Sequence, residues 1–146
     1  MTAQNLAELF ERDLLKLKEE ISLYTEEKSM WIVKNGIHNS AGNLCLHLLG
    51  NLNHFIGATL GHSGYVRQRE LEFSKKDIPR TQLLFEIDEV TALVKETLQK
   101  LTPSDLEKQY PLLKHEQVVS TEQMLLHLFS HLSYHLGQIN YHRRLL

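Results

Sequence analysis

Apolar residues recur at steps of three and four positions through most of the chain, and this period constrains the fold more than any other feature. Between residues 4 and 24 the apolar positions follow this spacing and charged residues fill the others, which is typical of an amphipathic helix. No run alternates apolar and polar residues over a useful length for a β-strand. Pro79, Pro103 and Pro111 all lie between periodic segments. The sequence therefore predicts an all-α protein.

Four long helices are predicted, and two of the connections between them are long. Each predicted helix after the first follows a residue that favours an N-cap. The predicted ranges are about 4–24, from the cap Ser40 to Leu60, from the cap Thr81 through about 82–101, and from the cap Ser120 to the C-terminus. This number of helices predicts a four-helix bundle that forms one domain over residues 1–146.

The composition argues against several classes of protein. Sixteen Lys and Arg residues against eighteen Asp and Glu give a formal charge of −2 at pH 7, so we expect no binding to nucleic acid or to an anionic membrane. No apolar stretch approaches the roughly 20 residues of a spanning helix, and the first residues do not resemble a signal peptide. Because Cys45 is the only cysteine, no intrachain disulfide can form, and we expect a cytoplasmic protein.

Histidine is the unusual component, with nine residues, of which four lie near the C-terminus. On the last predicted helix, His127, His131, His135, Gln138 and His142 share a stripe roughly 80° wide at about 100° per residue. His131 and His135 have the i, i+4 spacing at which two imidazoles of one helix can bind the same metal ion. We predict that these two residues are metal ligands.

A third ligand has to come from another helix, because two imidazoles seldom hold an ion alone. The second predicted helix offers His47 and His54, which lie about two turns apart and on similar sides of an α-helix, and the residues alone leave both open. Three protein ligands with an open position are typical of a catalytic metal site. Gln138 is expected to orient a ligand or a bound water, and His127 to lie beside the site or on the surface.

Arg67 and Arg69 lie in the polar connection that follows the second helix. A guanidinium can bind a carboxylate or another anion through two hydrogen bonds, so both are candidates for contacting an anionic substrate or cofactor. The competing interpretation is a solvated loop with internal ion pairs. Cys45 points about 160° away from His47 on an α-helix, and we predict a buried, inert thiol there.

Two segments resemble the DinB-like, or damage-inducible-like, superfamily of metal-binding four-helix bundles. Residues 125–139 (LLHLFSHLSYHLGQI) are similar to its last helix, in which a His-x-x-x-His pair is followed three residues later by Gln. Residues 43–55 (NLCLHLLGNLNHF) are similar to its second helix, which supplies one more histidine. The resemblance implies that His47, His131 and His135 bind the metal, with His54 as the alternative to His47.

The resemblance also implies a function. It suggests one divalent ion, nickel or zinc, and a homodimer. Some relatives transfer bacillithiol to electrophiles or isomerise maleylpyruvate with mycothiol. We therefore expect a metal-dependent thiol transferase or hydrolase that uses a low-molecular-weight thiol and a small electrophile. The alternative is a non-catalytic, dimeric metal-binding bundle with a role in stress response or partner binding. Residues 64–73 (GYVRQRELEF) resemble a branch without an assigned activity, so both functions stay open.

Overall fold

The computed structural model describes residues 1–146 as helices and loops with no β-strand, which confirms the all-α prediction. The α-helices are α1 (Ala3–Leu23), α2 (Ala41–Leu52), α3 (Arg69–Ser74), α4 (Arg80–Gln99), α5 (Pro103–Glu107) and α6 (Thr121–Leu145). A 3₁₀ helix (Glu27–Trp31) lies between α1 and α2, and a π-helical turn (Asn53–Ala58) follows α2 directly. No helix combines the length and apolar character that crossing a bilayer requires.

The long helices pack through the apolar faces that the period predicts. α1 contacts α4 and α6, and α2 contacts α4 and α6. Each fully buried Leu, Ile or Phe side chain in such a core contributes about 1.5–3 kcal/mol relative to exposure. On α1 the side chains with no exposed surface are Leu6, Phe10, Leu14, Leu17 and Ile21.

Serine caps fix the start of the two helices that carry the histidine pattern. The Ser40 hydroxyl accepts a hydrogen bond from the Asn43 N–H, and the Ser120 hydroxyl accepts one from the Gln123 N–H. Both predicted caps are thereby confirmed. Eleven of the twelve residues of α2 are buried, as its nearly all-apolar sequence indicates.

Two of the predicted helix boundaries are wrong. α4 begins at Arg80, directly after Pro79, and Thr81 is inside the helix rather than its cap. Pro79 is the N-cap residue and has no side-chain capping hydrogen bond; its carbonyl accepts a hydrogen bond from the Leu83 N–H. The second predicted helix keeps its α-form only to Leu52, not to Leu60.

The π-helical turn changes the direction of the side chains that follow α2. Because a π-turn takes more residues than an α-turn, residues after Leu52 are rotated relative to an unbroken α-helix. The Phe55 carbonyl accepts a hydrogen bond from the Tyr110 hydroxyl, and the His54 carbonyl accepts one from the Thr59 hydroxyl. These partners stabilise the irregular turn. His54 is the second residue of this turn.

Candidate metal centre

Three histidines from two helices come together at one edge of the core. Nε2 of His131 on α6 lies 3.1 Å from Nε2 of His47 on α2 and 3.1 Å from Nε2 of His135. One potential ligand atom from each of the three residues lies within 4.8 Å of the others. Two imidazole nitrogens that bind one zinc ion at about 2.0–2.1 Å are roughly 2.9–3.4 Å apart in tetrahedral or octahedral geometry. The observed spacing therefore fits a shared metal ion.

Hydrogen bonds at the far side of two rings direct their Nε2 atoms to the centre. His47 Nδ1 lies 3.0 Å from Glu72 Oε1, and His135 Nδ1 lies 2.7 Å from Gln138 Oε1. Both oxygens accept, so each Nδ1 carries the proton and each Nε2 keeps a free lone pair. His131 has no such partner, because its Nδ1 is buried without a hydrogen bond.

Burial keeps two of these rings neutral. It lowers the pKa of His131 to about 4, with the nearby rings of His135 and His47 adding to the effect. Burial also lowers the pKa of His135, against the opposing hydrogen bond to Gln138. Metal ions bind the neutral imidazole. Both residues are therefore in the form that binds a metal at neutral pH.

Glu72 and Arg67 form an ion pair directly behind His47. The carboxylate receives hydrogen bonds of 2.9 Å from both Nε and Nη2 of Arg67. Burial tends to raise the pKa of Glu72, but hydrogen bonds from His47 and Arg67 outweigh it, so the pKa lies below its usual value. Glu72 is therefore ionised at neutral pH. The ring of Phe73 packs on His47, with their centroids 4.8 Å apart.

The sequence comparison identifies a family. Residues 4–146 match the family described as "Protein of unknown function (DUF1572)". The chain belongs to DUF1572. The match includes all of α2, α3 and α6, so every residue of the histidine centre lies within it. No curated protein matches the chain.

In this DUF1572 chain the other histidines considered for the site lie outside the group of three. His54 lies on the π-turn against Phe55, outside the group. His127 lies one turn before His131, exposed, with its ring centroid 6.3 Å from that of His115. His142 is buried elsewhere, between the Tyr24 hydroxyl and the Ile32 carbonyl. The predicted stripe therefore follows the edge of the core, and only its central part reaches His47.

The two arginines that the sequence singles out, Arg67 and Arg69, occupy different environments. Arg67 is bound to Glu72, so two of its nitrogens are already engaged. Arg69 is exposed and stacks over the ring of Phe73 at 5.1 Å. Glu72 was not among the predicted site residues. The six residues of α3 are too few to show a helical period, and nothing in the sequence marks Glu72 apart from its neighbour Glu70.

A cavity of about 590 Å³ lies on the other side of Glu72. It opens between α2, α3 and α4, and its walls include Leu49, Leu93 and the carboxylates of Glu72 and Glu86. None of the three clustered histidines lines it. A molecule in this cavity would therefore lie beside Glu72 and away from the three clustered histidines.

Proposed function

We propose that this chain binds one divalent metal ion through His47, His131 and His135. The observation that carries the proposal is the convergence of three Nε2 atoms on one point. Imidazole nitrogen suits zinc and nickel, and the resemblance of residues 125–139 to the DinB-like superfamily favours the same two ions. We propose further that the four long helices, α1, α2, α4 and α6, form the four-helix bundle of that superfamily.

Hydrogen bonding among the histidines alone explains the arrangement less well. His47 and His135 each direct a free lone pair towards His131, and Nε2 of His131 has at most one proton to donate. At least one close nitrogen pair would then have no proton between its lone pairs, which is costly in a partly buried site. A cation at the point of convergence satisfies all three nitrogens. The donor set therefore fits a metal ion.

Three protein ligands leave at least one coordination position open, which favours catalysis over a purely structural role. When bound, such an ion acts as a Lewis acid that makes a thiol or water nucleophilic near neutral pH. We propose that the protein is a metal-dependent thiol transferase or hydrolase that acts on a small electrophile. The chain's own contribution is to present three imidazoles to the ion, with His47 oriented by Glu72 and His135 by Gln138. The alternative proposal is a non-catalytic, dimeric metal-binding bundle.

The metal content of untagged protein tests the binding proposal. We expect about one zinc or nickel ion per chain by elemental mass spectrometry, and loss of that ion in His47→Ala, His131→Ala and His135→Ala. His54→Ala and His127→Ala are the matched controls, because they remove a histidine near the centre without removing a converging Nε2. If the metal content is unchanged by the first three substitutions, the proposed site is wrong. Loss in His54→Ala but not in His47→Ala would move the third ligand to the π-turn.

Thiol binding separates the two functions. In cobalt-substituted protein we expect an added low-molecular-weight thiol to produce a thiolate charge-transfer band, and to be consumed when an electrophile is supplied. A spectrum unchanged by thiols, with no hydrolysis of ester or amide substrates, would support the non-catalytic alternative. Sedimentation of the same samples tests the homodimer, which we propose from the superfamily resemblance.

A further inference from the structure

We propose that Glu72 is a positioning residue of the metal centre, which acts through His47 and has Arg67 as its counter-ion. This inference rests on the proposed function. It assigns a role to α3, a six-residue helix that supplies no metal ligand. The contact that carries it is the hydrogen bond of 3.0 Å between Glu72 Oε1 and His47 Nδ1.

The burial of Glu72 is unusual for its segment. Glu72 is 6% exposed and is the one buried residue between positions 61 and 80. A carboxylate is costly to bury unless partners replace its lost hydration. His47 and Arg67 are the side chains that hydrogen-bond to this carboxylate. The segment thus folds a charged group inwards to meet these two residues.

The backbone around Glu72 is tied to the helix that carries His47. Asn43 on α2 has no exposed surface, and its Nδ2 donates to the carbonyls of Glu72 at 2.9 Å and Lys75 at 2.8 Å. Gly50, also on α2, leaves the space that the carboxylate fills: a Cβ there would lie 1.9 Å from Glu72 Oε2. Main chain and side chain are therefore both fixed relative to His47.

The acceptor at Glu72 decides which nitrogen of His47 carries the proton. Arg67 Nη2 also lies 3.4 Å from His47 Nδ1. An unprotonated Nδ1 would nevertheless direct its lone pair at the carboxylate oxygen, which lies 3.0 Å from this nitrogen. With the proton on Nδ1, His47 donates to Glu72, and Nε2 is free for the metal. Arg67 balances the charge of the carboxylate. Removal of such a partner typically weakens metal binding about 10- to 100-fold.

The test compares Glu72→Gln with Glu70→Gln, an exposed neighbour on α3. Zinc affinity is measured by competition with a chromophoric chelator, and the tautomer of His47 by histidine ¹⁵N NMR on metal-free protein. We expect zinc binding about 10- to 100-fold weaker in Glu72→Gln and unchanged in Glu70→Gln. His47 should be Nδ1-protonated in the parent and a mixture of tautomers in Glu72→Gln. Arg67→Lys should retain more affinity than Arg67→Ala.

The outcomes distinguish this inference from the function on which it rests. If the parent binds zinc through the three histidines and Glu72→Gln binds it equally well, the metal site stands and the role of Glu72 is wrong. If the parent binds no zinc but the His47 tautomer depends on Glu72, the positioning stands and the metal function fails. If His47 is protonated on Nε2 in the metal-free parent, the inference is wrong. This measurement needs no variant, so the test remains decisive even if Glu72→Gln does not fold.

Discussion

Gly50 is a residue at which a single methyl group should disturb the metal centre. In Gly50→Ala the new Cβ would lie 1.9 Å from Glu72 Oε2. The carboxylate is held by His47 and Arg67, so it can move only if these contacts are lost. We expect a loss of about 1–3 kcal/mol in the free energy of unfolding and weaker zinc binding, measured by chemical denaturation and by chelator competition.

Gly137 provides the matched control. It lies within α6, and a Cβ at this position would meet no atom within 4 Å. Gly137→Ala should keep the zinc affinity of the parent and raise stability by up to about 1 kcal/mol, because alanine favours a helix interior. Equal effects of the two substitutions on zinc affinity would contradict the account given for Gly50.

His131 should make the metal-free protein less stable in mild acid. Its pKa is lowered from 6.5 to about 4 in the folded state, first by burial. The unfolded chain therefore binds the proton more readily, and the stability contributed by neutral His131 is present above about pH 6.5 and lost as the pH falls towards 4. We expect the thermal midpoint of metal-free protein to fall over this range, and to fall less in His131→Gln. Parallel curves for the two proteins would contradict this.

At the residue scale, the sequence predicts the part of the site that one helix carries. His131, His135 and Gln138 follow from their spacing alone, because an α-helix converts spacing into direction. The choice between His47 and His54 does not follow from spacing, because the two residues lie on similar sides of an α-helix and about two turns apart. Glu72 depends on the path of a loop over α2, which local sequence does not determine.

Among the elements, α3 is connected to α2 by polar contacts as well as by the packing of Phe73 on His47. Asn43 donates to two carbonyls of the α3 region, and its Oδ1 accepts from Lys76 Nζ at 2.6 Å. In Asn43→Ala two carbonyls, one of them in a buried residue, lose their donor, at a cost of about 1–3 kcal/mol each when water cannot replace it. We expect faster amide hydrogen exchange in residues 69–74 and weaker zinc binding, with α1 and α4 still protected.

Asn5→Ala is the control for Asn43→Ala, because the side chain of Asn5 is exposed on α1. Asn5→Ala should leave exchange in residues 69–74 unchanged. Should Asn43→Ala also leave it unchanged, α3 would not be anchored through Asn43.

The elements that the sequence predicts are the long ones. α1, α2, α4 and α6 have 21, 12, 20 and 25 residues, and Ser40 and Ser120 mark two of their starts. α3 and α5 have six and five residues, which is too short for a period to be visible. Thr81 resembles a cap, but the helix already begins at Arg80, and Pro79 occupies the cap position, with its carbonyl accepting from the Leu83 N–H.

For the whole molecule, a metal ion would join two helices that are distant in the chain. His47 and His131 are separated by 84 residues. An ion that binds only the folded state adds about 2.7 kcal/mol at 100 times its dissociation constant. For a chain of this size we expect zinc to raise the thermal midpoint by roughly 5–11 °C, as measured by circular dichroism at fixed protein concentration.

The same melting experiment on His135→Ala serves as its control. This variant keeps His47 and His131 but lacks one Nε2, so added zinc should raise its midpoint far less. If zinc raises the thermal midpoint of His135→Ala as much as that of the parent, zinc stabilises the fold by binding at another site.

The location of the only cysteine has a practical consequence for spectroscopy. Cys45 is fully buried, and burial raises the pKa of its thiol. The folded chain therefore presents no thiolate of its own to a metal or to an alkylating reagent. A thiolate-to-metal absorption band in the cobalt or nickel form therefore has to come from an added thiol, and the protein without added thiol is the blank for this measurement.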